Sequence, residues 1–242
     1  CGRTREHWGG RMYILMNAVA MLLELAAIAA IAWTGYTYPL GFAVATAAIA
    51  LVLGLRLEYA RLQNEIPFYF DREPGRVAVF AWVVAGGEAF VKALLAGFVA
   101  LLTFLGTDPD RLGWVASIFA FTLFLGVQIV RWLNATLKAR PMRWGYFRLA
   151  APLGIIFSVG QSLLPAPGFS ELARRATFEM PAKPSMEQAS EFLFLLKQTF
   201  DDIVERMLTW IFDPAVAQVA AALISVNMLS GFVLSIYAVL IA

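Results

Sequence analysis

The chain contains a single cysteine, Cys1, and a single histidine, His7, among its 242 residues. One cysteine cannot form a disulfide within the chain, and these two residues cannot build the Cys/His clusters that hold zinc or iron–sulfur groups. With one histidine near the first residue, no set of nucleophile, base and orienting group is available. P-loop and Gly-rich dinucleotide motifs are also missing. We therefore expect no catalytic residues, no metal site and no cofactor.

Charge is scarce as well. Charged residues make up 15% of the chain, against roughly 25% in soluble domains. Hydrophobic residues reach 60%, against about 45–50% in soluble domains. A soluble globule of this size has too little interior to bury that much apolar surface. The basic residues are too scattered for a nucleic-acid interface. The composition predicts an integral membrane protein whose surroundings are membrane lipids.

Six apolar segments approach or exceed the length of a membrane span. A helix needs about 20 residues to cross a hydrocarbon core of about 30 Å. The segments are 12–33, 39–57, 77–105, 112–134, 149–164 and 214–242. The fifth is short, and the third and sixth are longer than a span needs. The sequence predicts an all-α, polytopic transmembrane helix bundle of about six spans, forming one domain over residues 1–242.

The lysine and arginine distribution predicts the orientation. Twelve of these residues fall on the side of both termini, and six fall on the other, five of them in the long loop 165–213. Because cytoplasmic loops carry the excess of lysine and arginine, both termini are predicted to be cytoplasmic, in a bacterial inner (plasma) membrane. The chain begins at Cys1 and ends at Ala242 inside an apolar run. We expect a trimmed piece of a longer chain, with a lipoprotein start as the alternative.

The second half of the long loop predicts an amphipathic helix over 186–212. Its apolar residues recur at helical spacing. We expect this helix to lie outside the membrane and parallel to its plane. Its apolar face should turn inward, onto the bundle or the bilayer, through Phe200, Val204, Met207 and Ile211. Asp201 and Glu205 should face water. The alternative is that the apolar face binds a partner subunit.

Three charged residues lie well inside predicted spans, away from the ends of the segments. Glu24 is in the first span, with Asn17 seven residues earlier on the same helix face. Glu88 and Lys92 are four residues apart in the third span, which makes them neighbours on one face. A charge at the bilayer centre costs about 2.5–3.5 kcal/mol on insertion scales. These residues are interpreted either as a proton or ion relay or substrate site, or as neutralised groups that determine helix packing.

Further polar residues could join such a site. Asn227, Ser230 and Tyr237 share one face of the sixth segment, and Gln128 in the fourth could line the same space. They would either line a polar cavity or form interhelical hydrogen bonds, worth about 0.6 kcal/mol each. Gly86 and Gly87 are expected to let another helix approach the third span closely. The basic cluster Arg140, Arg143 and Arg148 either determines topology or binds anionic lipid.

Three functions remain open. The first is a non-enzymatic accessory or scaffolding subunit of a larger membrane complex, with a protein partner or a second copy of this chain in the membrane. The second is a small transporter or channel that uses Glu24, Glu88 and Lys92. The third is a membrane-embedded enzyme acting on lipid. The absence of any catalytic motif favours the first of these functions.

Overall fold

Helices account for the architecture. A computed structural model describes residues 3–69, 74–105, 107, 109–138, 141–162, 186–213, 216–217, 220–221 and 224–242. Throughout these residues the secondary structure is helical, with turns and bends but no strand. The predicted all-α class is confirmed. The part of the predicted loop over 163–185 lies outside the described residues.

Four long helices form the first part of the chain. They are α1 (Arg3–Thr37), α2 (Pro39–Tyr69), α3 (Pro74–Phe104) and α4 (Pro109–Leu137). Three of them begin at proline, which suits the first helical position because its missing N–H would have no partner there. Each contains a run long and apolar enough to cross a membrane: Met16–Thr37, Pro39–Glu65, Val79–Phe104 and Arg111–Leu137. The chain therefore has the helices of a membrane protein.

The remaining helices are shorter. They are α5 (Pro141–Arg148), α6 (Ala150–Ser162), α7 (Met186–Thr209), a 3-10 turn (Val226–Leu229) and α8 (Ser230–Ile241). The predicted fifth span corresponds to α6, which has 13 residues. The predicted sixth span is not one helix, because the backbone leaves the helical region at Ser225, with φ −53° and ψ 148°. The Ser225 hydroxyl accepts the Asn227 N–H at 3.1 Å and so starts a new turn.

Small residues bring α2 and α3 together as an antiparallel hairpin. Alanines along both helices are buried, namely Ala50, Ala85, Ala89, Ala93 and Ala96. A Cβ placed on Gly97 would lie 3.0 Å from Ala47 Cβ and 3.2 Å from the Ala43 carbonyl oxygen. The close approach expected at Gly86 and Gly87 is not found there, since a Cβ on either would meet nothing described within 4 Å. The tight contact lies further along α3.

The short helix α8 occupies the centre of the bundle. Its residues from Ser230 to Val239 are buried except Phe232, which is half-buried. It crosses α6 so closely that a Cβ on Gly154 would overlap the Met228 carbonyl oxygen, and one on Gly231 would overlap that of Ala150. Its Tyr237 joins an aromatic core that also contains Phe42, Phe104, Phe119 and Phe157. Burial on all sides explains why α8 is apolar around its whole circumference.

The bundle has two ends that carry different residues. At one end, α2 finishes beside α5, where Arg61 lies over the Phe147 ring. We call this the basic end, because Arg61, Arg143 and Arg148 all lie there. At the opposite end α2 begins, α3 finishes, and the 3-10 turn contacts α7.

Candidate functional site

A buried carboxylate joins α2 to α3 in the half of the hairpin nearer the basic end. The Glu58 side chain is 0% exposed, and Lys92 Nζ donates to its Oε1. Arg61 Nη1 lies 3.6 Å from the other carboxylate oxygen, Oε2. Glu88 lies 3.8 Å from Lys92 on the same helix and is 42% exposed. The main partner of Lys92 is therefore Glu58 on the neighbouring helix, and the predicted pair with Glu88 is a second, more exposed contact.

Glu58 was missed in the sequence because it follows Arg56 and looks like part of a water-exposed extension of α2. A signal was nevertheless present. Glu58 continues the helix face that carries Ala50 and Gly54, at spacings of four residues. A carboxylate on the small-residue face of a helix will face the neighbouring helix.

A second buried carboxylate joins α1 to α4. Glu24 is 4% exposed, and Gln128 Nε2 donates to its Oε1 at 3.0 Å. Arg131 Nη1 forms an ion pair with Glu24 Oε2, and the Arg131 side chain is 40% exposed. Gln128 and Arg131 are three residues apart and share a face of α4. The structure thus brings together Glu24 and Gln128 from the sequence prediction and adds Arg131.

Asn17 does not join this group, because its side chain is exposed. No contact among the described residues links Glu24 with Glu88, since the partners of Glu24 are on α4 and those of Glu88 are on α3. The candidate polar residues therefore form two separate charged groups at two helix interfaces. Each group balances a carboxylate with a cation from the neighbouring helix.

Two polar residues of α8 make hydrogen bonds to other helices. Ser230 Oγ lies 2.7 Å from Thr103 Oγ1, and Tyr237 OH lies 2.8 Å from Thr46 Oγ1. Both threonines donate their own hydroxyl proton to the carbonyl oxygen four residues earlier, so Ser230 and Tyr237 are the donors. Asn227 lies in the 3-10 turn, where its backbone N–H is bound by Ser225. The residues predicted to share one polar face thus bond to different helices, Ser230 to α3 and Tyr237 to α2.

Helix α7 contacts the bundle through its polar side. Asp201 accepts hydrogen bonds from Ser225 Oγ at 3.0 Å and from the Val226 N–H at 3.1 Å. The prediction that Asp201 faces water is therefore wrong: a carboxylate is the best acceptor for the free donors at the start of the 3-10 turn. Glu205 is exposed, as predicted.

The apolar side of α7 does not pack on the described bundle. Phe200 is 47% exposed, Met207 is 65% exposed and Ile211, just beyond the helix, is 71% exposed. These residues were predicted to face the bundle or the bilayer, and the described bundle does not cover them, because Asp201 on the other side of the helix makes the contact. The bilayer and the alternative of a partner subunit stay as predicted covers. Val204 is half-buried.

Burial changes the acid–base properties of α7. It raises the pKa of Asp201, while the hydrogen bonds from Val226 and Ser225 act in the opposite direction. Burial lowers the pKa of Lys197 to about 8, and the charge of Asp201 partly offsets this. The two groups stand one helical turn apart on α7, and Asp201 makes the contact with the 3-10 turn.

A cavity of about 720 Å³ opens at the basic end between α2 and α5. Its polar lining consists of Arg61, Asn64 and Glu65 from α2 and Arg143 and Arg148 from α5. Arg61 Nε donates to Glu65 Oε1 at 2.7 Å. Arg143 and Arg148 are exposed and form no ion pair with any carboxylate of the described residues. The cavity therefore carries an excess of positive charge.

Phe147 links this cavity to the buried ion pair. Arg61 Cζ and Lys92 Nζ each lie 5.6 Å from the centre of the Phe147 ring, within the range of a cation–π interaction.

Within the described ranges, no three His, Cys, Asp or Glu residues are grouped to hold a metal ion. The chain matches no family model, no curated protein and no solved structure, so its geometry and chemistry carry the functional argument.

Proposed function

We propose that this protein is a non-enzymatic accessory or scaffolding subunit of a larger membrane complex. The observation that carries the proposal is the pairing of both buried carboxylates. Glu58 is bound by Lys92 and Glu24 by Arg131, in each case across a helix interface. A buried carboxylate matched with a cation stabilises one helix arrangement, whereas a proton relay needs a carboxylate that can change its charge.

The proposed topology has six crossings in one domain, with both termini in the cytoplasm of a bacterial cell and α7 outside. Helices α1 to α4 supply four crossings. The pair α5–α6 and the broken segment ending in α8 supply two more, each short because part of it is buried in protein. The basic end carries Arg61, Arg143 and Arg148, as expected of a cytoplasmic side.

This topology is tested by cysteine labelling in intact cells, in a Cys1→Ser background. A membrane-impermeant thiol reagent should label a cysteine at Thr209 in α7, and it should leave a cysteine at Gln63 in α2 unlabelled. Both positions are exposed, so accessibility to water is matched. If the reagent labelled only Gln63→Cys, the orientation of the chain would be the opposite of the one proposed.

The surface proposed to meet the partner is the apolar side of α7, formed by Phe192, Phe200, Ile203 and Met207, all of them exposed. Asp201 holds the helix in position from the opposite side. Asp202 and Glu205 on the same helix make anionic lipid an unfavourable neighbour. An apolar transmembrane or interfacial helix of another subunit is the occupant that we propose.

Photo-crosslinking in the native membrane tests this surface. A photoreactive amino acid at Phe200 should crosslink one defined protein. The same residue at Asp201, one position away but facing the 3-10 turn, should not. The partner should also co-purify with the wild-type chain in mild detergent and be lost with Phe200→Asp. Crosslinking at Phe200 to lipid alone would favour an interfacial helix without a partner.

The alternative is a small transporter or channel. It is supported by the partial exposure of the two cations, with Lys92 31% and Arg131 40% exposed. Purified protein in proteoliposomes should then conduct protons or a common ion, and Glu24→Gln should abolish the flux. The scaffold proposal expects no flux from the wild type and a loss of stability from Glu24→Gln.

A further inference from the structure

The cavity at the basic end has the composition of a binding site for a phosphate-bearing anion. Its three arginines are opposed by one carboxylate, Glu65, which is already paired with Arg61. Arg143 and Arg148, both on α5, are left without a carboxylate partner in the described part of the chain. Guanidinium groups bind phosphate oxygens through two parallel N–H donors, which favours them over lysine at such sites.

The apolar part of the lining points to an amphipathic ligand. Leu57, Ala60, Trp144 and Phe147 line the same cavity as the arginines. Its volume of about 720 Å³ lies in the range of about 300–1,000 Å³ of small-molecule sites and far exceeds what one phosphate ion fills. Trp144 is partly exposed, and tryptophan favours the depth of lipid headgroups.

The charged side chains behind the cavity already have partners. Glu58 is bound to Lys92, and the Lys92 ammonium and Arg61 guanidinium both face the Phe147 ring. A ligand anion would therefore meet cations on the cavity wall and no free carboxylate behind it. Basic pockets between transmembrane helices at the cytoplasmic side are a known way of binding anionic headgroups.

We propose that the cavity between α2 and α5 binds the phosphate group of an anionic ligand through Arg143 and Arg148, with its apolar part against Trp144 and Phe147. A phospholipid of the adjacent leaflet and a soluble phosphate ester share this chemistry. Only the choice of the cytoplasmic leaflet rests on the proposed topology. Binding itself is independent of the proposed partner at α7, which lies at the opposite end of the bundle.

The test uses the purified full chain in detergent, with native mass spectrometry and thermal unfolding as readouts. The probes are phosphatidylglycerol, phosphatidylcholine as a phospholipid without net charge, and glycerol phosphate with inorganic phosphate as soluble ligands. Wild type should bind phosphatidylglycerol saturably and unfold at higher temperature with it. The Arg143→Gln/Arg148→Gln variant should bind at least about tenfold more weakly, since two charge-assisted contacts are lost.

The matched control is Arg56→Gln. Arg56 is also exposed and lies on α2, but it does not line the cavity. It should retain wild-type affinity. Because Arg143 and Arg148 are exposed as well, their replacement should leave the apo unfolding temperature unchanged. The double variant Arg143→Lys/Arg148→Lys keeps both charges without the paired donors, and it should bind with intermediate affinity.

Each possible result of the experiment either supports or overturns the proposal. Saturable binding of phosphatidylglycerol but not of the soluble ligands identifies a lipid headgroup site. Equal or tighter binding of glycerol phosphate identifies a soluble phosphate ester. Equal binding of phosphatidylcholine and phosphatidylglycerol overturns the proposal. Unchanged affinity in the double glutamine variant, or an equal loss with Arg56→Gln, also overturns it, because binding would then depend on general surface charge.

Discussion

The two buried ion pairs differ in the second group that contacts each carboxylate, a cation at Glu58 and a neutral amide at Glu24. Glu58 sits in the tight α2–α3 hairpin, is completely buried, and has Arg61 as a second cation at 3.6 Å. Glu24 sits between α1 and α4, where Gln128 donates a hydrogen bond to Oε1 and Arg131 forms an ion pair with Oε2. Glu24 has a neutral hydrogen-bond donor that would remain if its cation were lost. Among the described residues, the side-chain partners of Glu58 are two cations, Lys92 and Arg61.

The groups around a buried ion pair therefore determine how much stability is lost when one partner is removed. A buried pair can contribute little net stability, yet removing one partner leaves an uncompensated charge. The penalty is larger where the remaining carboxylate has no neutral hydrogen-bond donor. We therefore expect the two pairs to respond unequally to the same substitution, and the following experiments test that inequality from the largest effect to the smallest.

Lys92→Met should be the most destabilising change. It leaves the Glu58 carboxylate buried with only Arg61 nearby, and breaking a buried pair costs about 3–5 kcal/mol. Thermal unfolding in detergent measures the effect. Glu58→Gln combined with Lys92→Met should restore most of the stability, because no charge is then left unpaired. Glu88→Gln is the control, with an expected cost of about 0–1 kcal/mol, since Glu88 is partly exposed and 3.8 Å from Lys92.

Arg131→Met should cost less, about 1–3 kcal/mol, because Gln128 still donates to Glu24. The same unfolding measurement applies, with Glu24→Gln/Arg131→Met as the compensating double variant. If Arg131→Met proved as damaging as Lys92→Met, the distinction drawn between the two pairs would be wrong.

Gly97→Ala tests the closeness of the hairpin that buries Glu58. The added methyl group would lie 3.0 Å from Ala47 Cβ and 3.2 Å from the Ala43 carbonyl oxygen, so the helices must separate. Gly86→Ala is the matched control on the same helix, where a Cβ meets nothing described within 4 Å. Unfolding should show Gly97→Ala to be less stable than Gly86→Ala by about 1–2 kcal/mol. Equal stabilities would mean that the hairpin is looser than described.

Lys197 extends the comparison to a cation whose neighbouring carboxylate, Asp201, lies on the same helix. Its pKa falls from 10.5 to about 8 on folding. Between these pH values the unfolded chain binds more protons, so the stability contributed through Lys197 rises with pH in this window. The stability of Lys197→Met relative to wild type should therefore fall between pH 8 and pH 10, measured by unfolding.

The two buried ion pairs could be predicted only in part from the sequence. Glu24 could be found because it is a lone carboxylate in a long apolar run. Its partner could not, because Arg131 looks like an ordinary boundary charge and only helix packing brings it to Glu24. Lys92 was found, but its nearest carboxylate along the chain, Glu88, is not its main partner. Sequence spacing reports neighbours within a helix, whereas Glu58 approaches from another helix.

Helix α7 shows that a sequence pattern can predict a helix without predicting which of its faces contacts the rest of the protein. Its amphipathic pattern predicted a helix correctly, and the structure has it over Met186–Thr209. The pattern also suggested that the apolar face would turn onto the bundle or the bilayer, with Asp201 in water. The unsatisfied donors at Ser225 and Val226 instead attract Asp201, and these donors exist only because the backbone breaks at Ser225.

Composition and apolar run lengths by themselves determined that this chain is helical and has spans for a membrane, because such properties sum over many residues and do not depend on which helices meet. Tertiary structure alone decided that α8 lies at the centre, that Glu58 pairs with Lys92, and that the arginines of α5 share a cavity with Arg61. These contacts join residues far apart in the chain. They depend on the few ångströms of approach that residues such as Gly97 and Gly231 permit.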